Sequence, residues 1–296
     1  MSNWKYILLF HNLPVAEPIG NDIIKIVPLN DQLVAEIRLR SETFCRFVDS
    51  FKDQFGRSSK PSLLFLNSVN KPDIESLVSF RNILAISSIS LAWARVLSYG
   101  SQFEYFKYSD YFNFYPYSLT SDEKYLLAQT PSIRSLEEVG DFSGQPSPGI
   151  AKASSLRDFY DKSLFNELLS KWIELFIKKR SGKWELIALF RSLEMAFRAS
   201  ALPFGNQGTI HDYGASISLW VSAFEILIRP QYKAISYKDV LNMLGTIYFC
   251  SPHLQYKKYR IKTSKKILSL TLVQKTYLEM NYARNNFLHG NPVNSK

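Results

Sequence analysis

The 296-residue chain reads as an α+β N-terminal half followed by an all-α C-terminal half. Three observations predict this. Short segments rich in β-branched and aromatic residues crowd the first 70 positions. Helical periodicity takes over after about residue 155. Between them "DFSGQPSPGIAKASS" (141–155) breaks every period with two prolines, two glycines and several serines, so the domains fall at 1–142 and 156–296 with a linker over 143–155.

In the first half, "WKYILLF", "DIIKIVPL" and "QLVAEIRL" read as strands separated by the turn signals "NLP" and "LND". "SETFCRFVDSFKDQF" follows as a helix, with Ser41 as cap and Phe44, Phe47, Val48 and Phe51 at helical spacing. "SLLFLN" reads as another strand and "DIESLVSFRNILAISSISLAWARVL" as a long helix. The aromatic-rich "FEYFKYSDYFNFYPY" alternates with polar residues, which fits a half-buried strand or a surface on which bases stack.

Five helices are expected after the linker. The first starts from a Ser155 cap and carries Leu156, Phe159, Tyr160, Leu164, Leu168, Trp172, Leu175 and Phe176 on one stripe. "WELIALFRSLEMAFRASAL" is the second, broken at Pro203. "ASISLWVSAFEILI", apolar on nearly every side except at Glu225, is expected to be the most buried. "SYKDVLNMLGTIYF" opens with a Ser236/Asp239 capping box, and "SLTLVQKTYLEMNYARNNFLHG" closes the bundle.

Composition narrows the function. Hydrophobic residues make up 46% of the chain, enough for a real core. The longest apolar-leaning run, Asn82 to Leu97, is interrupted by serines, so no membrane span is expected. The N-terminus lacks a signal-peptide cleavage pattern, and a cytoplasmic location is the expectation. Cys45 and Cys250 show no metal-ligand spacing, so neither a zinc site nor any other metal or cofactor is expected.

The net charge of +10 is concentrated in "KKRSGK" (178–183) and "KKYRIKTSKK" (257–266). Each fits either a solvated loop between helices or a contact for a polyanion, and Lys257, Lys258, Arg260, Lys262, Lys265 and Lys266 are the candidate nucleic-acid contacts. Of the four histidines, His11 falls in a turn, His211 in the connector "GNQGTIHDYG" and His253 at a helix end. His289 alone has a distinctive setting, in "RNNFLHG".

An arginine, an amide and a histidine on one edge suit a phosphodiester. The guanidinium holds phosphate through paired hydrogen bonds, and imidazole moves a proton near neutral pH. RNA brings its own nucleophile in the 2′-hydroxyl, so no metal is required. On a straight helix Arg284 and His289 lie about 140° apart, so they meet only if the helix loosens at Gly290 or a second copy contributes. A helix terminus with a purely structural role is the remaining reading.

"RNNFLHG" resembles the R-x4-6-H signature of the HEPN superfamily, and "LWVSAFEILI" is similar to the helix that precedes the signature in ApeA-like HEPN domains. The resemblance covers about 155–296. It implies a dimeric helical bundle acting as a metal-independent endoribonuclease of a toxin or antiphage system. Arg284, Asn285 and His289 would be catalytic, with Glu225 in support. It leaves to the first half a role in sensing a trigger or selecting RNA, and it admits a non-catalytic RNA-binding or dimerisation module as the alternative.

Overall fold

A computed structural model describes the chain apart from residues 1–3, 11, 53–57, 59–60, 68–73, 101–105, 116, 121, 129–136, 139–157, 179–183, 203–207, 250, 263–266 and 292–296. The expected linker 143–155, the Ser155 cap, His11, Cys250, Lys265, Lys266 and all but Lys178 of the first basic cluster lie outside the described residues. The chain divides into two compact units, Met1–Leu168 and Leu169–Lys296. Small antiparallel sheets characterise the first, and the second is mostly helical.

The first unit is organised around "SLLFLN". Its run of five buried residues is the pattern of a strand covered on both faces. Strands β1 (Trp4–Phe10), β2 (Ile19–Gly20), β3 (Ile24–Val27) and β4 (Ser62–Asn67) form a sheet in the order β1-β4-β3-β2, antiparallel throughout. Leu63 and Phe65 of β4 share a core with Val34 and Ile37 of α1 (Gln32–Arg38) and Phe44, Phe47 and Val48 of α2 (Glu42–Asp49).

Sequence and structure part at "QLVAEIRL", which is helix α1 rather than a strand. Asp31 caps it by accepting from the Leu33 N–H at 2.9 Å, and Val34 and Ile37 bury at helical spacing. The Ser41 cap on α2 is as expected, its hydroxyl accepting from the Phe44 N–H at 3.2 Å.

The long helix α3 (Ile74–Tyr99) is present. By length and composition it could cross a membrane, but most of its apolar stretch is buried within the chain. Its buried Ser88 donates its hydroxyl to the Leu84 carbonyl at 2.7 Å, the back-bond open to a serine inside a helix.

Among its described residues the aromatic stretch forms no long strand. Phe106 and Phe112 are buried around a 3₁₀ turn, Ser109–Phe112, and Phe106 meets Phe159 at 5.2 Å between ring centroids. Its end joins a sheet, as β5 (Tyr117–Leu119) beside β6 (Leu126–Ala128) and β7 (Glu137–Glu138). Helix α4 (Lys162–Trp172) starts later than expected, where Asp161 accepts from the Leu164 N–H at 3.0 Å, and a π-helical turn, Ile173–Ile177, extends it.

In the second unit α5 (Trp184–Ala199) and α6 (Ile210–Ile228) run antiparallel. They are joined near one end by Ser216 donating to the Ala199 carbonyl and near the other by the Trp184 indole donating to the Arg229 carbonyl. Next come α7 (Tyr237–Leu244), with its Ser236/Asp239 capping box in place, and the short α8 (Pro252–Tyr256).

The expectation of an all-α bundle fails at "KKYRIKTSKK". Residues Tyr259–Lys262 (β8) and Ile267–Leu270 (β9) form an antiparallel hairpin. The physical reason is visible in the alternation of Tyr259, Arg260, Ile261 and Lys262, a period of two that buries one face of a strand. Thr271 links β9 directly to the last helix, α9 (Leu272–Leu288), through a Thr271/Gln274 capping box.

Helix α6 lies against both α5 and α9. Many of its apolar side chains are nonetheless only half-buried, so it is less enclosed than its sequence predicts. It meets α9 at Gly214, where a Cβ would fall 2.2 Å from the Phe287 ring. Intrinsic propensity alone makes Gly→Ala in a helix favourable by about 1 kcal/mol. Overpacking costs about 1–3 kcal/mol and reverses the sign. Gly214→Ala is therefore expected to lower the melting temperature, and adding Phe287→Leu to recover part of the loss. A more stable Gly214→Ala chain would show that the two helices do not meet there.

Candidate functional site

The candidate catalytic residues gather on α9 and its neighbour α6. Phe224 of α6 meets Tyr277 of α9 at 5.7 Å, while His211 near the other end of α6 meets Phe287 at 6.2 Å. The two helices therefore run antiparallel. Tyr277, Asn281 and Arg284 follow at intervals of four and three residues, which places them on one face of α9. Tyr277 and Asn281 are buried.

Arg284 reaches α6, where its Nη1 lies 2.7 Å from Oε1 of Glu225. Side chains lean toward the N-terminus of their own helix, so on antiparallel neighbours the two reach toward each other. The sequence singled out both residues, and the structure joins them in an ion pair whose side chains are 24% and 30% exposed. The charge-assisted bond fixes the guanidinium at the edge of the α6–α9 seam.

Asn285 and His289 are exposed, and the helix does not loosen before His289. The His289 N–H still bonds to the Asn285 carbonyl at 3.1 Å. The chain then leaves through Gly290, whose φ of +70° suits glycine. Gly290 donates to the Phe287 carbonyl at 3.1 Å and Asn291 to that of Asn286 at 2.8 Å, the paired bonds of a Schellman cap. Regular geometry up to the cap keeps Arg284 and His289 about 140° apart around the axis. Within one chain their side chains diverge rather than converge.

His211 is in the first turn of α6 and not in a connector. The helix starts from a Thr209/Asp212 capping box, with Asp212 accepting from the Thr209 N–H at 2.8 Å. That bond, reinforced by the Thr209 hydroxyl, holds the Asp212 carboxyl below its usual range. The T-x-x-D spacing was the available signal.

Tyr277 is the residue that sequence reasoning missed. Its side chain is 1% exposed, and its hydroxyl has no hydrogen-bond partner among the described residues. Burial, and secondarily the charge of Glu225, push the phenol up to about 12, against an opposing pull from Arg284. Nothing in "KTYLEM" sets this tyrosine apart, because its significance comes from Glu225, 52 positions away in sequence.

The second candidate region is the hairpin. Lys258, Arg260 and Lys262 are exposed, whereas Tyr259, Ile261 and Leu268 are half-buried and Leu270 is buried. Ile261, Leu268 and Leu270 join the core that contains Val221, Val240 and Tyr277. Lys257 and Lys275 both place their ammonium groups over the Tyr259 ring, at 5.3 and 5.2 Å from its centroid. Among the described residues, no group of three or more histidine, cysteine or carboxylate side chains is placed to hold a metal ion. No protein-family model, curated protein or solved structure matches the chain.

The Tyr277 environment gives a pH test. An unfolded tyrosine loses its proton near 10, whereas the folded phenol keeps it to about 12. Its contribution to stability is full below about pH 10 and is lost as pH rises through about 12. Tyr277→Phe is expected to flatten this alkaline loss in urea titrations. At pH 7 it should leave stability within about 1 kcal/mol of the parent, since the hydroxyl removed has no partner. A larger drop at pH 7 would mean the hydroxyl is bonded.

Proposed function

We propose that the chain acts on RNA as a metal-independent endoribonuclease of the HEPN kind, with the α6–α9 pair as its catalytic element. The observation that carries this reading is the exposed end of α9. Asn285 and His289 stand there on the surface, and Arg284, one residue before Asn285, is held at the helix seam by Glu225. The basic hairpin in the same unit supports a polyanionic substrate.

In the proposed reaction the RNA 2′-oxygen bonds to the adjacent phosphorus as the bond from phosphorus to the 5′-oxygen breaks. The products are a 2′,3′-cyclic phosphate and a 5′-hydroxyl. His289 moves a proton at the attacking or the leaving oxygen, and the other proton is exchanged with solvent. Arg284 stabilises the added charge on phosphorus-bound oxygen, and Asn285 orients phosphate or imidazole. Glu225 is the positioning residue, since it touches the guanidinium and not the substrate.

Divergence of Arg284 and His289 within one chain supports a further element, a homodimer in which the motif of a second copy completes each site. The biological role in keeping with this chemistry is that of a toxin or antiphage effector, with the first unit sensing a trigger or selecting RNA.

One observation favours a second reading, a non-catalytic RNA-binding module. Arg284 already has an anionic partner in Glu225, which competes with phosphate. The two readings separate in a cleavage assay run in EDTA. On the catalytic reading His289→Ala loses roughly 100- to 10,000-fold in rate, the range for a general acid or base. Arg284→Ala loses a comparable factor, and both variants bind RNA as the parent does. Cleavage unchanged in His289→Ala would remove the histidine from the mechanism, and a parent that binds but never cleaves would leave the binding module.

A further inference from the structure

The basic residues of 257–266 read from sequence as one undifferentiated patch, but the hairpin sorts the four that are described, Lys257, Lys258, Arg260 and Lys262. Lys258, Arg260 and Lys262 alternate along one strand and its approach, and all three are exposed. Residues two apart on a strand are separated by about 6.6 Å, close to the spacing of neighbouring phosphates on a nucleic-acid strand. Across the hairpin Arg260 faces Ser269 and Lys262 faces Ile267, so no carboxylate neutralises the row from the paired strand.

Lys257 belongs to the opposite parity and is engaged differently. It shares the Tyr259 ring with Lys275, which also meets Glu279 at 3.4 Å. Two exposed apolar side chains adjoin the row, Ile267 at 66% across the hairpin from Lys262 and Tyr256 at 80% two positions before Lys258 in sequence. Unpaired bases present faces that such side chains can cover, whereas a duplex hides them. The backbone beneath the row is fixed, because β9 runs through buried Leu270 into the capped start of α9.

The geometry points to a single-stranded RNA subsite in which Lys258, Arg260 and Lys262 each hold one of three successive phosphates, with Lys257 and Lys275 taking no part. This rests on RNA being the ligand, as proposed above, but not on its being cut. A linear row one strand wide fits a single strand better than a duplex, and its charge is complementary to that ligand.

The test is fluorescence-anisotropy binding in the His289→Ala background, which separates binding from cleavage. The probes are a 12-nucleotide single-stranded RNA, the same RNA annealed to its complement, and vesicles containing anionic phospholipid, each measured at several salt concentrations. Each phosphate contact on a single strand adds about 0.7 to the slope of log affinity against log salt. The triple variant Lys258→Ala, Arg260→Ala, Lys262→Ala is expected to lower that slope by about 2. The pair Lys257→Ala, Lys275→Ala should leave it unchanged, and the single strand should bind more tightly than the duplex. Circular dichroism and melting curves matching the His289→Ala chain establish that the triple variant is folded. If it is not, Lys258→Ala and Lys262→Ala singly should each lower the slope by about 0.7. An unchanged slope in the folded variants, an equal loss in the Lys257/Lys275 pair, tighter duplex binding or preference for vesicles would overturn the proposal. A parent that fails to cleave RNA while the slopes behave as expected would overturn the nuclease reading and leave this subsite standing.

Discussion

The close approach of α6 and α9 is the constraint on which the second unit depends. It requires Gly214 beneath the Phe287 ring, because any side chain at 214 would enter the space the ring occupies. Antiparallel packing then puts Glu225 within reach of Arg284 and Phe224 against Tyr277. The same packing sets the exposed C-terminal end of α9 beside the capped N-terminus of α6. A few apolar contacts thereby determine where a guanidinium, a carboxylate, an amide and an imidazole stand.

The seam also holds an electrostatic tension. Glu225 neutralises the arginine that the proposed chemistry needs, and the buried Tyr277 phenol, with no hydrogen-bond partner among the described residues, feels the charges of the same pair. Partial exposure of both charges keeps Arg284 accessible, while the 2.7 Å contact orders it. Orientation and neutralisation are two effects of one contact, and an incoming phosphate must compete with the second while profiting from the first.

Much of this was legible in the sequence because capping chemistry is local. Ser41, the Ser236/Asp239 pair and Gly290 mark helix ends that the structure reproduces. What escaped is of two kinds. At "QLVAEIRL" β-branched content outweighed the Asp31 cap and the buried pair Val34 and Ile37. At "KKYRIK" charge obscured the alternation that makes it a strand. These signals were present but outweighed. The setting of Tyr277 is different in kind, because it arises from a contact across 52 positions, which no short motif encodes. The separation of Arg284 and His289 by about 140° was legible from helix geometry, and what the structure added is that the helix stays regular up to its cap.

In the proposed chemistry an RNA strand is cut at this seam by attack of its own 2′-hydroxyl. The most direct measurement uses a short RNA that the parent chain cleaves at a known position, and the same RNA with a 2′-deoxyribose at that nucleotide. The first is expected to give a 2′,3′-cyclic phosphate and a 5′-hydroxyl in the presence of EDTA, and the second to stay intact. Cleavage of the deoxy-substituted strand, or products ending in a 5′-phosphate, would contradict it.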